Sequence, residues 1–130
     1  MITGFVVFAH GSRIASANDA VRAITADLKR AASLEQVETA FLELGHPDLA
    51  AAVARLVGRG AQRIVVIPYF LTLGTHLERD LPALVKSVGR HYKEMEIVIT
   101  PPLDGHPALL QILLDRALAA GEKAADTTGE

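Results

Sequence analysis

The chain has 130 residues, half of them hydrophobic, which suits one domain able to close a single core. Thirteen Lys and Arg against fifteen Asp and Glu leave a formal charge of −2, so no basic excess exists to neutralise a phosphate backbone, and no nucleic-acid partner is expected. Cysteine is absent, which removes disulfides, thiolate metal sites and cysteine nucleophiles and leaves His, carboxylate and solvent as metal ligands.

Along the chain, the apolar run Ile2–Ala9 predicts a first strand. It is too short and wrongly flanked for a signal peptide, and no apolar run reaches the roughly twenty residues of a membrane span. The expected setting is therefore cytoplasmic, with no membrane partner. Ala17, Val21, Ile24 and Leu28 then recur at helical spacing, with Ser16 or Asn18 able to cap the start. Val37–Leu42 predicts a second strand. A second helix runs from about Asp48 through Val53, Leu56 and Val57 to Gly58 or Gly60.

Arg63–Leu71 predicts a third strand, and Thr75 to Tyr92 a third helix built on Leu81, Leu84, Val85 and Val88. Pro82 is placed early in that helix, where a missing N–H matters less. Glu96–Pro102 predicts a fourth strand, and Pro107 to Ala120 a fourth helix with Gly121 after it. The strands are nearly continuous apolar runs rather than alternating ones, as expected for strands covered on both faces. The order predicts an α/β fold with a four-stranded parallel sheet flanked by helices on both faces. Residues 1–120 form one domain in this reading, and 121–130 a mobile polar tail.

In such sheets ligands bind beyond the carboxyl ends of the strands. Those ends carry His10-Gly11-Ser12-Arg13, Glu43-Leu44-Gly45-His46-Pro47, Thr72-Leu73-Gly74-Thr75-His76 and Leu103-Asp104-Gly105-His106-Pro107, so four of the five histidines gather at one edge. Imidazole is a good ligand for Zn, Co, Ni or Fe and moves protons near neutral pH, which makes His10 and His76 the leading candidates. Each taken singly could instead only hydrogen-bond its loop. Glu43 is either a solvated carboxylate or a third ligand and proton acceptor, and His46 and His106 suit turn shaping. No Gly-rich phosphate loop, Gly-x-Ser-x-Gly elbow or Arg-His-Gly motif is present, so no nucleotide cofactor is expected.

Four ordered motifs carry a family resemblance. They are Val6-Val7-Phe8-Ala9-His10-Gly11-Ser12-Arg13 with Asn18; Phe41-Leu42-Glu43 with Pro47; Ile67-Pro68-Tyr69-Phe70-Leu71 with Gly74-Thr75-His76 and Asp80-Leu81-Pro82; and Leu103-Asp104-Gly105-His106-Pro107 with Asp115-Arg116. Together, from Ile2 to about Ala120, they resemble the small class II chelatases that act on sirohydrochlorin. The resemblance implies a chelatase-type fold, half of a two-domain class II enzyme, and a likeness to proteins that work as homodimers. It implies insertion of Co²⁺, Fe²⁺ or Ni²⁺ as a substrate metal into a carboxylate-rich tetrapyrrole, for cobalamin, sirohaem or nickel-tetrapyrrole synthesis.

Carried over by motif, His10 and His76 hold the metal and His10 and Glu43 take up protons. Leu71, Thr72, Leu73, Gly74, Thr75 and His76 contact the macrocycle, and Ser12 and Arg13 are expected to help bind its carboxylates. Position 46 departs from the pattern: many relatives place an acid there, and this chain has His46, a cation or extra ligand facing the substrate. The expected consequence of a histidine pair is loss of rate at low pH, where protonated imidazoles release metal. A carrier of metal or tetrapyrrole that binds without turnover uses the same residues and is the alternative. A hydrolase-like enzyme with His10 as base ranks third, lacking a visible nucleophile.

Overall fold

Eight elements alternate along the chain: β1 (Thr3–Ala9), α1 (Ala15–Ala31), β2 (Val37–Phe41), α2 (Leu49–Gly58), β3 (Arg63–Pro68), α3 (Thr75–Gly89), β4 (Glu96–Ile99) and α4 (Ala108–Thr128). This computed structural model describes residues 1–128, with side chains as far as Gly121. The strands form one sheet in the order β2-β1-β3-β4, and all three pairings are parallel. The α/β class and the four-stranded parallel sheet are thus as the sequence predicts.

The unbroken apolar character of β1 has a direct cause. Val6 and Phe8 point to one face, where they meet Ala52, Val53 and Leu56 of α2 and Leu81, Val85 and Val88 of α3. Val7 and Ala9 point to the other, against Val21 and Leu28 of α1 and Phe41 of β2. A strand with helices above and below has no solvated side to leave polar.

Element ends depart from expectation in physically explicable ways. β3 stops at Pro68 instead of Leu71. Tyr69 still donates its N–H to Phe8 at 2.7 Å, but β1 then turns toward β2, where Leu42 bonds the Ala9 carbonyl. Residues 70–71 therefore have no strand beside them. β4 ends at Ile99, with one further bond from Thr100 to Val66. Neither Ser16 nor Asn18 caps α1: the N-cap is Ile14, without a side-chain cap bond, and Asn18 lies inside the helix. Asp48 does cap α2, accepting from the Ala51 N–H at 2.9 Å.

α3 begins at Thr75 as predicted but ends at Gly89, and Tyr92 folds back against the core. Pro82 sits in the interior of α3 rather than in its first turn. Its exposed position leaves the carbonyl that it cannot bond open to water. α4 does not stop before Gly121 but continues to Thr128. A mid-helix glycine costs only about 1 kcal/mol relative to alanine, and its neighbours Ala119, Ala120, Glu122 and Lys123 are good helix formers. Most of the expected tail is therefore helix, and residues 129–130 lie outside the described residues. No described helix is long and apolar enough to cross a membrane.

Candidate functional site

The chain leaves β1 for its neighbour β2 on one side and then returns past β1 to β3 on the other. The crevice of a doubly wound sheet opens at such a reversal, beyond the carboxyl ends of the strands. His10 is the first residue after β1, Glu43 lies just beyond β2, and His76 follows β3 as the second residue of α3. Sheet pairing extends one step into these loops, with the Leu42 N–H bonding the Ala9 carbonyl at 2.9 Å and the Glu43 N–H bonding the His10 carbonyl at 3.0 Å. The backbone itself therefore sets His10 beside Glu43.

Their side chains are both about half exposed, with His10 Nε2 3.8 Å from Glu43 Oε1. That distance is too long for a hydrogen bond. It falls within the span of up to about 4.2 Å available to two donors each about 2.1 Å from one shared ion. The other ring nitrogen, Nδ1, lies 3.2 Å from the Gly11 carbonyl. A carbonyl only accepts, so the neutral tautomer that satisfies this contact is the one with its proton on Nδ1, which leaves the Nε2 lone pair on the glutamate side. Phe70, from the end of the third predicted strand, stands edge-on to the His10 ring at 6.4 Å between centroids.

Gly11 is required by contact. Its φ is +95°, and a Cβ there would lie 1.7 Å from the Glu43 carbonyl oxygen. Only a residue without a side chain allows the β1 and β2 loops to touch at this point.

Asn18 then fastens the two loops. Buried within α1, it donates from Nδ2 to the carbonyls of Ser12 and Leu44, each at 2.9 Å, and accepts at Oδ1 from the Ser12 N–H at 2.9 Å. Ser12 in turn accepts at Oγ from the Ile14 N–H, which turns the chain into α1. Arg22 braces the outer side: its guanidinium lies 5.0 Å above the Phe41 ring, donates to the His46 carbonyl and pairs with Asp19. The His46 side chain and Arg13 are exposed at the rim.

The Leu71–His76 loop is tied at its start by backbone bonds from Leu103 to Phe70 and from Asp104 to Leu71. Leu71 is 61% exposed, and Thr72, Thr75 and His76 are also exposed. Leu73 turns inward against the core, so the loop does not present all of its side chains to one ligand. Gly74 is the N-cap of α3, and the Glu78 N–H makes the first bond back to it at 2.9 Å. The N–H groups of Thr75, His76 and Leu77 are left pointing out of the helix start, where they favour anions.

The fold thus brings His10 and Glu43 together and sets His76 at a neighbouring strand end. Among the described residues, no three His, Asp or Glu side chains form a ready metal cluster. His106 accepts from the Ala108 N–H at 3.0 Å, the turn-shaping role expected of it. Reading the residues alone missed Phe70 and Arg22 and gave Asn18 only a cap. The buried amide of Asn18 becomes meaningful only once it is seen to meet Leu44, 26 positions along the chain.

Comparison with known proteins places these features in a family. The CbiX family model matches residues 4–120. A sirohydrochlorin cobaltochelatase of Saccharolobus islandicus is 34% identical over 119 residues, covering 87% of this chain and 91% of the relative. The chloroplastic sirohydrochlorin ferrochelatase of Arabidopsis thaliana is 33% identical over 113 residues, and the chain spans half of its length. SirB from Bacillus subtilis, solved with Fe³⁺, superposes with a TM-score of 0.86 at 26% identity, over 93% of this chain and 48% of that one. A CbiX protein from Marinobacter aquaeolei superposes with a TM-score of 0.82 over 93% of this chain and 98% of its own. With a match over nearly its whole length and the strand-end histidines in place, the chain belongs to the CbiX family.

Proposed function

We propose that the chain is a sirohydrochlorin chelatase, inserting Co²⁺ or Fe²⁺, with Ni²⁺ as a third candidate, into a carboxylate-rich tetrapyrrole. The observation that carries the reading is the exposed His10–Glu43 pair, an imidazole nitrogen facing a carboxylate oxygen across 3.8 Å at the sheet's crevice. Family membership and the archaeal cobaltochelatase of nearly equal length support it.

Insertion binds one M²⁺ to the macrocycle and releases two pyrrole protons. His10 Nε2 and His76 hold the ion while it sheds water, leaving positions open for the pyrrole nitrogens. Glu43 lies close enough to His10 to complete the ion's shell or to accept a departing proton, and His10 takes a proton once the metal has moved on. The outward N–H groups at the start of α3, with Ser12, Arg13 and His46 at the rim, receive the substrate carboxylates, and Leu71 offers apolar contact to the ring. In this reading the working form is a homodimer, two copies matching the double length of the plant and Bacillus relatives.

An anaerobic absorbance assay of sirohydrochlorin with each metal tests the reaction. Catalytic appearance of metallated product, reduced at least tenfold by His10→Ala and by His76→Ala, is expected. No acceleration over the spontaneous reaction with any metal would overturn it and bring forward a carrier that binds without turnover.

A further inference from the structure

Outside α4 and the first two residues, six large apolar side chains are exposed among the described residues. One, Ile24, lies along α1, and the other five, Ile14, Leu42, Leu44, Tyr69 and Leu71, stand in the loops that leave β1, β2 and β3. These are the loops that carry His10 and Glu43 and lead to His76. Apolar residues exposed singly are ordinary on a protein surface, but their gathering at a ligand-binding edge is not.

Two of the five also occupy positions where the fold favours other residues. Ile14 is the N-cap of α1, its backbone extended as Ser, Thr, Asp or Asn would have it, yet it supplies no side-chain cap bond and is 65% exposed. Leu44 has φ +57°, in the left-handed region, and is 50% exposed. The other non-glycine residues at positive φ, among those described, are the polar Ser33 and Glu94. A left-handed leucine is unfavourable, and here burial does not offset it. A departure from local preference that folding does not recover points to function.

One side chain holds the backbone of both. Asn18 Nδ2 donates to the carbonyls of Leu44 and Ser12, each at 2.9 Å, and Ser12 Oγ accepts from the Ile14 N–H at 3.0 Å. Because β1 lies between β2 and β3, the Leu44 loop stands to one side of His10 and the Leu71 loop to the other.

We propose that Ile14 and Leu44 are specificity-determining residues for the tetrapyrrole, a second apolar wall that with Leu71 lets the ring span His10. The macrocycle is a broad apolar disc with carboxylates at its rim, so it gains from apolar contact on both sides of the metal. The inference rests on the tetrapyrrole reading above and deepens it.

Leu44→Asn and Ile14→Ser put at each position a residue that its backbone prefers. Asparagine tolerates the left-handed region, and serine can accept from the N–H of Ser16 or Ala17. Both variants are expected to match or exceed the wild-type urea midpoint. Both should bind sirohydrochlorin, followed by absorbance in EDTA, about five- to tenfold more weakly. In turnover, KM should rise by that factor with kcat retained. Co²⁺ alone should bind them as it binds wild type, and Ile24→Ser should leave tetrapyrrole affinity unchanged. Unchanged affinity in both variants would overturn the wall, and a smaller solution mass beside it would give these side chains to a contact between copies. A midpoint that falls with the affinity would make the two residues structural, and a parallel loss of Co²⁺ affinity would move the effect to the metal site; either overturns the inference. Wild-type protein that binds no sirohydrochlorin would overturn the tetrapyrrole reading and this inference with it, an outcome read before any variant is compared.

Discussion

The Asn18 amide spends both of its N–H donors and one Oδ1 lone pair on backbone, with two carbonyls and one N–H from loops that carry His10 and Glu43 on their flanks. Asn18→Ala leaves three groups without a protein partner and is expected to lower stability by about 1–3 kcal/mol, read from the urea midpoint. The same change loosens the loops on which His10 and Glu43 stand, and metal-insertion rate is expected to fall ten- to a hundredfold. Asn18→Asp is the sharper probe, since it keeps the shape and the acceptor for Ser12 but turns a carboxylate against two carbonyl oxygens. It should be at least as harmful as Asn18→Ala, and wild-type rate and midpoint in both variants would remove Asn18 from the positioning role. His10 and Glu43 were legible as candidates because each directly follows an apolar strand. The Asn18 contacts were not legible, because nothing in local spacing tells that residue 18 meets residue 44.

At the level of elements, the sequence predicts all eight and their order, because every strand is a dense apolar run and every helix has its own spacing. Ends are harder to read, since they depend on what lies alongside. β3 ended at Pro68 when its neighbour turned away, and Gly121 stayed helical because glycine weakens a helix without forcing it to stop. The two glycines at the end of α2 show the same distinction in testable form. Gly58 is the last residue of the helix, and a Cβ there meets nothing within 4 Å, whereas Gly60 has φ +99°. Gly58→Ala is therefore expected to raise stability by about 0.4–1 kcal/mol, and Gly60→Ala to lower it by about 1–2 kcal/mol. Thermal or urea midpoints check both signs, and a shift in the same direction for the two would refute this account of the helix end.

For the whole molecule, what the sequence does not disclose is which body each apolar surface belongs to. The periodicity of α4 predicts a helix with a leucine row, and the runs in β3 and β4 predict a face that needs cover, but neither says what covers them. If the second copy of the proposed homodimer does, folding and assembly are one equilibrium, because a separated chain leaves both surfaces in water. Unfolding then turns one dimer into two chains, and each tenfold rise in protein concentration adds about 1.4 kcal/mol to apparent dimer stability. For an assembly of this size, that raises the thermal midpoint by roughly 2–4 °C per tenfold. A chain with Leu114→Glu and Leu118→Glu, which puts charge on that exposed row, should show a lower midpoint that does not move with concentration. A wild-type midpoint equally flat over a hundredfold range would mean that the core beneath α2 and α3 folds without help from a partner, and that the leucine row of α4 contributes nothing to holding the molecule together.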